Sequence, residues 1–431
     1  MIVIGFLLVI LAGAFMLWCA VHGEGSSISA LDALFMAASA VCVTGLGVVD
    51  ISKEFGSFSQ VIMLSLIQLG GLGFMTGMMM LTIAARRRIG IKGRIFFMGG
   101  MGQDNLQGAM RLFFTVVCYT LAIEGAGALL LFAGFVISGE GIARAAYLAI
   151  FHAVSAFCNA GYSISPNGME SYSSSLIVPG AVMALIVAGG IGFPVFAEVA
   201  ERIRSKERRR LSVYSRLVLY MTGGLIAAGA VLFLMSEWNA AFRGMPAWAK
   251  CWNALFASIT ARTAGFSTVP YSSMSGAGQA LTVVLMIIGA CPASTGGGIK
   301  ATTLAVLALS VWSELHLRQE PTLWGRTISV RTERRALSIV MIYLLTIAVG
   351  SFVLAVVEQM PFSDIIFETV SALSTVGLSV GVTAHLSSAG KLAIIVLMFW
   401  GRVGIYSFIS TIVTADGSPA IRYPETHIPI G

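Results

Sequence analysis

Val43-Thr44-Gly45-Leu46-Gly47 is the stretch on which the reading of this chain turns. It ends a hydrophobic run, Leu31 to Val41, that is too short to cross a bilayer. Three later segments are built the same way: Asn159-Ala160-Gly161-Tyr162, Thr263-Ala264-Gly265-Phe266 and Thr375-Val376-Gly377-Leu378. Each follows a short apolar run, and each lies between two long hydrophobic segments. Ten residues before the shared glycine stand Phe35, Phe151 and Phe367, with Phe256 displaced by one in the third copy. Six before it stand Ser39, Ser155 and Ser371; the third copy has Ile259 there and a hydroxyl next door at Thr260. The glycines recur roughly every 110 residues, so the chain reads as four copies of one unit.

Of the 431 residues, 57% are hydrophobic and only 11% are charged, which excludes an ordinary soluble domain. Runs of about twenty apolar residues recur, long enough for a hydrocarbon core of roughly 30 Å. In lipid every backbone N–H and C=O needs an internal partner, so these runs are read as helices. Eight full spans are expected, near 2–22, 58–85, 112–138, 175–200, 212–236, 277–317, 336–358 and 388–414. The first has no basic leading region and fills the same long-helix slot as its later counterparts, so it reads as a retained span rather than a cleaved leader.

Basic residues set the orientation. Arg86, Arg87, Arg88, Lys92, Arg94 and Arg111 crowd the first link between units; Arg202 to Arg216 crowd the second and Arg318 to Arg335 the third. By the positive-inside rule these links are cytoplasmic and the glycine turns face outward. The net charge of +7 then reflects topology rather than nucleic-acid binding, and the clusters read as solvated anchors that also have the chemistry to meet anionic lipid or a partner. The six cysteines show no metal-binding spacing and read as small packing residues, with no disulfide or metal implied.

The expected fold is an all-α integral membrane protein. Four parallel units, each long helix (M1), short pore helix and second long helix (M2), surround one pseudo-fourfold pore, giving eight full spans and four re-entrant helices. The boundaries are 1–86 for the first repeat, 111–203 for the second, 212–317 for the third with its M2 broken, and 334–414 for the fourth, followed by a cytoplasmic tail at 415–431. A helix of about twelve residues cannot span, and its non-helical exit is tolerated only beside protein or water. Four such exits around one axis present a ring of backbone carbonyls to a dehydrated cation. Glycine at the tightest point permits φ > 0 and removes a Cβ from the ion path. The plainer alternative, a simple turn at each glycine, suits one copy better than four matched ones. The filter set is therefore Val43, Thr44 and Gly45; Asn159, Ala160 and Gly161; Thr263, Ala264 and Gly265; Thr375, Val376 and Gly377, with K+ held by carbonyls alone.

These segments, Val-Cys-Val-Thr-Gly-Leu, Phe-Cys-Asn-Ala-Gly-Tyr, Thr-Ala-Arg-Thr-Ala-Gly-Phe-Ser-Thr and Ser-Thr-Val-Gly-Leu-Ser, resemble those of the Trk/Ktr/HKT superfamily of potassium transporters over essentially the whole chain. With four units and no extra leading helix pair, the chain is most similar to the KtrB branch. The resemblance implies K+ as the preferred ion, one pore per subunit, a homodimer, and gating by a cytoplasmic nucleotide-binding ring of the RCK/KTN type. It also implies that Ser at the first filter position accompanies Na+ passage; here that position is Gly45. The segments lack the fuller Thr-Val-Gly-Tyr-Gly pattern of tetrameric K+ channels, which implies fewer stacked carbonyl rings and leaves K+/Na+ discrimination open.

The third unit carries an anomaly, Gly289-Ala-Cys-Pro-Ala-Ser-Thr-Gly-Gly-Gly-Ile-Lys300, inside a run that would otherwise be one very long helix. Pro292 removes a helical donor, and Gly296, Gly297 and Gly298 each weaken helix propensity by roughly 1 kcal/mol. At membrane depth such a stretch must line a wet cavity, where it forms a flexible barrier across the path. It is not a phosphate loop, because Ile299 precedes Lys300, Ala301 follows it and no strand leads in. Gly70-Gly71-Leu72-Gly73 likewise reads as helix packing, not a dinucleotide fingerprint. The resemblance makes the anomalous segment an intramembrane gate, comprising Gly296, Gly297, Gly298 and Lys300. Arg402, deep in the last span, reads as a further gate residue, a cation bordering the pore below the filter that helps close it with the loop, or else as a residue holding a helix terminus or backbone carbonyls. Arg262, just before Thr263, reads as lying near the outer surface, with snorkelling as its plain reading and no role assigned. Glu124 needs an unnamed partner, and His152 reads as a satisfied buried histidine.

The function expected is K+ translocation in a Ktr/Trk-type uptake system of a bacterial-type plasma membrane. The competing class is a Na+- or H+-coupled secondary carrier with a midplane site, disfavoured by the parallel repeats and scarce intramembrane carboxylates. Five scattered histidines offer no catalytic cluster, so no enzyme is expected. No cofactor is expected on this chain, with K+, and Na+ as the further candidate, being transported or coupling ions. Nucleotide is expected only on the partner, since no link or tail is long enough to bury a domain-sized core of about 50 residues.

Overall fold

The computed structural model describes residues 2–73, 106–204, 211–318 and 320–404. The basic link 86–105, the inner part of the span expected at 58–85, the end of that at 388–414 and the tail 415–431 lie outside the described residues. The first unit holds α1 (Ile2–Gly23), α2 (Ala30–Cys42), α3 (Ile51–Glu54) and α4 (Ser57–Gly71). The second holds α5 (Leu106–Ile137), α6 (Ile142–Phe157), α7 (Ile177–Ile191) and α8 (Phe193–Arg204). The third holds α9 (Val213–Glu237), α10 (Ala247–Thr260), α11 (Gly276–Ile287) and α12 (Ala301–Leu315). The fourth holds α13 (Val330–Val357), α14 (Phe362–Leu373) and α15 (Ser388–Val403).

Among the described residues four helices are long and apolar enough to cross a membrane: Val3–Gly23, Thr115–Ile137, Val213–Glu237 and Val330–Val357. Counting the bent pair Ile177–Ile191 and Phe193–Ile203 as one makes five. Leu7, Leu11 and Phe15 on α1, Leu129 and Leu130 on α5, Val231 and Met235 on α9, and Leu345, Phe352 and Val356 on α13 are all exposed. Apolar faces of this extent are not tolerated in water and suit a lipid solvent.

The short helices are the opposite kind of element. Phe35, Phe151, Phe256 and Phe367 are each exposed by 2% or less, and each ring contributes roughly 2–3 kcal/mol of burial to its unit. The start of α2 is fixed by Ser29, whose Oγ accepts from the Asp32 N–H at 3.1 Å and donates to the Asp32 carboxylate at 2.7 Å. The helix after each glycine turn packs on the short helix of the next unit: α4 on α6, α7 on α10, α11 on α14, and α15 back on α2. The circuit therefore closes. Tyr147 bonds Gln60 (2.9 Å) across the first seam and Asn253 bonds the Ser173 carbonyl (3.2 Å) across the second. Tyr271 lies 6.0 Å from Phe367 across the third, and Lys391 pairs with Asp32 at 2.6 Å across the fourth.

Two features differ from the sequence expectation. The span expected as one helix at 175–200 turns through 100° between α7 and α8. Gly192 at the corner has φ 98°, and a Cβ there would lie 2.6 Å from the Pro292 carbonyl oxygen. Pro194 follows in the first turn of α8, where its missing N–H costs nothing. The third link also holds a small antiparallel hairpin, Thr322–Leu323 with Arg326–Thr327, turned by Trp324 and Gly325 at φ 46° and 78°. Among the described residues the fold is thus helical with one minimal strand pair. The break in the third unit is where the sequence puts it, between Ile287 and Ala301.

Candidate ion site

Each short helix ends on a left-handed residue two before its glycine: Val43 (φ 56°), Asn159 (59°), Thr263 (76°) and Thr375 (51°). Three of these are β-branched, for which this conformation is a genuine outlier and costs on the order of 1–3 kcal/mol. The glycines themselves follow at φ 93°, 70°, 79° and 89°. In units one, two and four the residue before the glycine bonds back five positions, as in Thr44 N–H to Ser39 O at 2.8 Å, closing a Schellman-type end. In the third unit Ala264 N–H reaches Thr260 O, only four back, at 2.9 Å. This shorter closure is why Phe256 and Thr260 are displaced by one.

The hydroxyls noted in the sequence hold the turns. Ser39 Oγ accepts from Gly45 N–H at 3.2 Å and Ser371 Oγ from Gly377 N–H at 3.1 Å. Ser155 Oγ accepts from Tyr162 N–H at 3.0 Å, and Thr260 Oγ1 donates to the Phe266 carbonyl at 2.6 Å. The Tyr162 hydroxyl then donates to Leu46 O at 3.0 Å, joining the first two turns. With its amide turned so that the nitrogen faces them, Asn159 donates to Ala156 O (3.0 Å) and Ile186 O (3.3 Å), which suits asparagine to its left-handed position.

The four glycines meet. A Cβ on Gly161 would lie 2.7 Å from Ala264 O and 2.8 Å from Gly265 Cα. One on Gly45 would strike Ala160 O, one on Gly265 would strike Val376 O, and one on Gly377 would strike Thr44 O and lie 2.8 Å from Gly45 Cα. The contacts run from unit one to two, two to three, three to four and four to one. All four carbonyls preceding the glycines thus belong to one closed ring. The Thr44, Thr263 and Thr375 hydroxyl oxygens are buried without a hydrogen-bond partner. Orphaned buried oxygens beside a carbonyl ring are what a dehydrated cation needs as ligands.

The loop 288–300 lies against this ring. A side chain on Gly296 would strike the Thr263 hydroxyl, and one on Gly297 the Thr375 hydroxyl. The loop is gripped from several units: Thr295 Oγ1 donates to Phe157 O (3.2 Å), Cys291 N–H to Gly190 O (3.1 Å), Phe193 N–H to Ala293 O (2.9 Å) and Tyr214 Oη to Pro292 O (3.2 Å). Arg402 donates through Nη1 to Thr295 O and through Nη2 to Gly70 O, so one guanidinium ties the loop to the first unit. Lys300 Nζ donates to Gly296 O at 2.6 Å. Gly298, at φ 69°, packs with Gly289 rather than against the ring.

The remaining sequence candidates are placed as follows. Arg262 does not snorkel: it is 7% exposed, and its Nη1 reaches Thr222 O at 3.4 Å in the seam between α7, α9 and α10. It follows the last turn of α10 and so points into the protein, not along the surface. Glu124 finds its partner in Gln68 Nε2 at 3.2 Å, and both ring nitrogens of His152 are bonded, to Leu148 O (2.7 Å) and Ser163 Oγ (2.8 Å). One device is absent from the sequence reading. Glu24, Glu237 and Glu358, at the ends of α1, α9 and α13, cap the following helices through Ser59, Ser275 and Ser387. Its signal is a Glu at the end of three of the four long helices, α1, α9 and α13, and a Ser 35, 38 and 29 positions on.

The TrkH family of cation transport proteins matches residues 1–420. The chain belongs to that family. It is 37% identical to the Ktr system potassium uptake protein B of Bacillus subtilis over 427 residues, 99% of this chain and 95% of the relative. It is 35% identical to the potassium/sodium uptake protein NtpJ of Enterococcus hirae, over 100% of this chain and 96% of that one. The crystal structure of the potassium transporter TrkH from Vibrio parahaemolyticus shares the fold, with a TM-score of 0.71 at 20% identity, covering 95% of this chain and 84% of the other. The family is one of cation transporters, so this member is a multi-pass membrane transport protein and not an enzyme.

Proposed function

We propose that this chain is the potassium-translocating membrane subunit of a Ktr/Trk-type uptake system in a bacterial plasma membrane. The repeats at 1–86, 111–203, 212–317 and 334–414 each supply M1, a re-entrant pore helix and M2, making eight spans around one pore. K+ sheds water at the ring formed by Val43–Gly45, Asn159–Gly161, Thr263–Gly265 and Thr375–Gly377. The observation that carries this is the closed circuit of glycine-to-carbonyl contacts through all four units, with threonine hydroxyls left unpaired beside it. The loop through Gly296, Gly297 and Gly298, latched by Lys300 and Arg402, is the gate. It blocks the path when seated and opens when Arg402 releases Thr295 or Gly70.

Uptake through a gate needs a bias from outside, because a ligand shifts an equilibrium only by its differential affinity for the two states. The basic cytoplasmic links are the handles for a homodimer and a nucleotide-binding ring of the RCK/KTN type, in line with relatives named as parts of Ktr systems. No cofactor is assigned to the chain itself in this reading. Reconstituting the purified chain in liposomes and measuring K+ against Na+ flux tests the reading. K+-selective flux that Gly45→Ser shifts toward Na+ is expected; an unchanged ratio in a correctly inserted variant removes Gly45 from the filter. Stoichiometric coupling of K+ to Na+ or H+ would favour the carrier class, and a nucleotide response from the isolated chain would remove the separate regulator.

A further inference from the structure

Each short helix sets one side chain against the residue two beyond its ring glycine, and the four copies differ there. In the first copy Met36 packs 3.8 Å from where a Gly47 Cβ would stand. In the second, His152 Nε2 lies 2.8 Å from Ser163 Oγ; with its proton on Nδ1, which faces Leu148 O, the neutral ring accepts from that serine. In the third, Ala257 has nothing to offer, and Ser267 reaches Glu170 at 3.5 Å instead. In the fourth the position holds a carboxyl group, Glu368.

Glu368 is 2% exposed. Its Oε1 accepts from Ser379 Oγ and its Oε2 from Thr383 Oγ1 at 2.9 Å, while Ser379 Oγ in turn accepts from Gly381 N–H at 2.9 Å. Glu368 belongs to none of the ion pairs Lys53–Asp50, Arg144–Glu140 and Lys391–Asp32. Other ionisable groups on or beside the elements packed around α14 are Asp364 on the same helix, Arg331, Glu333, Arg334, Arg335 and Tyr343 on α13 with Glu358 at its end, Lys391 and Arg402 on α15, His385 in the following loop and the Tyr271 hydroxyl before α11. None of them is hydrogen-bonded to the Glu368 carboxyl. Lys391 is engaged with Asp32, and Glu358 with Ser387.

The Val380 N–H also bonds this carboxyl, and a buried carboxylate held only by neutral donors is expensive unless a positive charge is near. Ser379 is two residues past Gly377, and two residues span at most about 7 Å. Through Ser379 the carboxyl therefore stands near the mouth of the ring, where a cation in the filter would balance its charge. We infer that Glu368 is the counter-charge for that ion, a positioning and affinity-setting residue supplied by the fourth unit alone. This rests on the ring being the filter. Its charge concentrates cations at the ring mouth, and its bonds to Ser379 and Thr383 hold the fourth segment's exit in register.

The test is K+ uptake by the full-length chain in liposomes over a range of external pH. Glu368→Gln keeps the shape and removes the charge; KM for K+ is expected to rise roughly three- to tenfold with little change in maximal rate. The wild type should lose affinity as external pH falls, while Glu368→Gln should be flat, and Glu368→Asp should restore most of the affinity. Thr383→Val provides a second variant should Glu368→Gln insert poorly. It removes one donor to the carboxylate, so the pH midpoint for affinity is expected to move up with KM at high pH preserved. A wild-type KM and pH profile in Glu368→Gln, or a wild-type midpoint in Thr383→Val, overturns the inference. Gly45→Ser separates the two readings: if it leaves the K+/Na+ ratio unchanged the filter reading fails, whereas an unaltered pH profile in the Glu368 variants fails this one alone.

Discussion

The glycine ring and the loop 288–300 are both non-helical backbone deep in an apolar helix bundle, yet they are held in opposite ways. The ring is local and fourfold. Each segment is closed by its own helix end and its own hydroxyl, from Ser39, Ser155, Thr260 or Ser371, and leans on the next by glycine contact. Among the described residues the loop occurs once. Its anchors come from Phe157, Gly190, Phe193, Tyr214 and Arg402, all on other units or other helices. A structure fixed by short-range bonds repeated four times has one arrangement. A structure fixed by scattered long-range bonds moves whenever one neighbour moves. Rigidity suits discrimination between ions, and dependence on neighbours suits a gate.

The contrast can be broken from either side. The largest effect is expected at the ring. Gly377→Ala puts a side chain at φ 89° and into Thr44 O, and should cut K+ uptake at least about tenfold in a protein that still inserts. Loss of function at the loop should have the reverse sign: deleting Gly296 to Gly298 should raise resting K+ flux on the order of fivefold, because a barrier goes while the ring stays. Loss of transport with normal insertion would instead make the loop a scaffold. Arg402→Ala removes only the tie between Thr295 and Gly70, and a rise of roughly two- to threefold is expected in the same assay. Ser371→Ala tests the local clamp. One hydrogen bond to Gly377 is worth about 1 kcal/mol, so the K+/Na+ permeability ratio should fall roughly fivefold.

The smallest effect lies away from both, at Glu24. Partial burial works against its charge, but bonds from Ser59 and from the Phe58 and Ser59 N–H groups outweigh this and hold the carboxyl below its usual range. A depressed carboxyl stabilises the fold above the unfolded value, near about 4.3, and that contribution is lost as pH falls through the lower folded value. Glu24→Gln should therefore lower the thermal midpoint slightly at neutral pH, with the two curves converging in acid. A gap that persists in acid would mean that the amide perturbs packing, not charge.

What could be read from the sequence was whatever repeats. Phe35, Phe151, Phe256 and Phe367 were visible by spacing and are all core residues, and the one-residue displacement in the third unit corresponds to a shorter helix end. The break before Lys300 was legible because Pro292 and three glycines leave no helix to form. Features that depend on an approach through space were not. Gly192 bends its helix because the Pro292 carbonyl of the loop occupies the corner, about a hundred residues away in the chain. Arg262 seemed free to reach the surface until the neighbours of α10 were known. The Glu24, Glu237 and Glu358 caps pair residues 29 to 38 positions apart, too far for any helical or strand periodicity to link them.

The central claim is that cations are bound inside the ring of Gly45, Gly161, Gly265 and Gly377. Crystals of the protein grown in Rb+ would test it most directly, by anomalous difference density. The result expected is a peak on the pseudo-fourfold axis at the level of the Thr44, Ala160, Ala264 and Val376 carbonyls, weakened in Gly45→Ser. A ring empty of Rb+, with the density lying instead at a midplane site away from these carbonyls, would contradict the account.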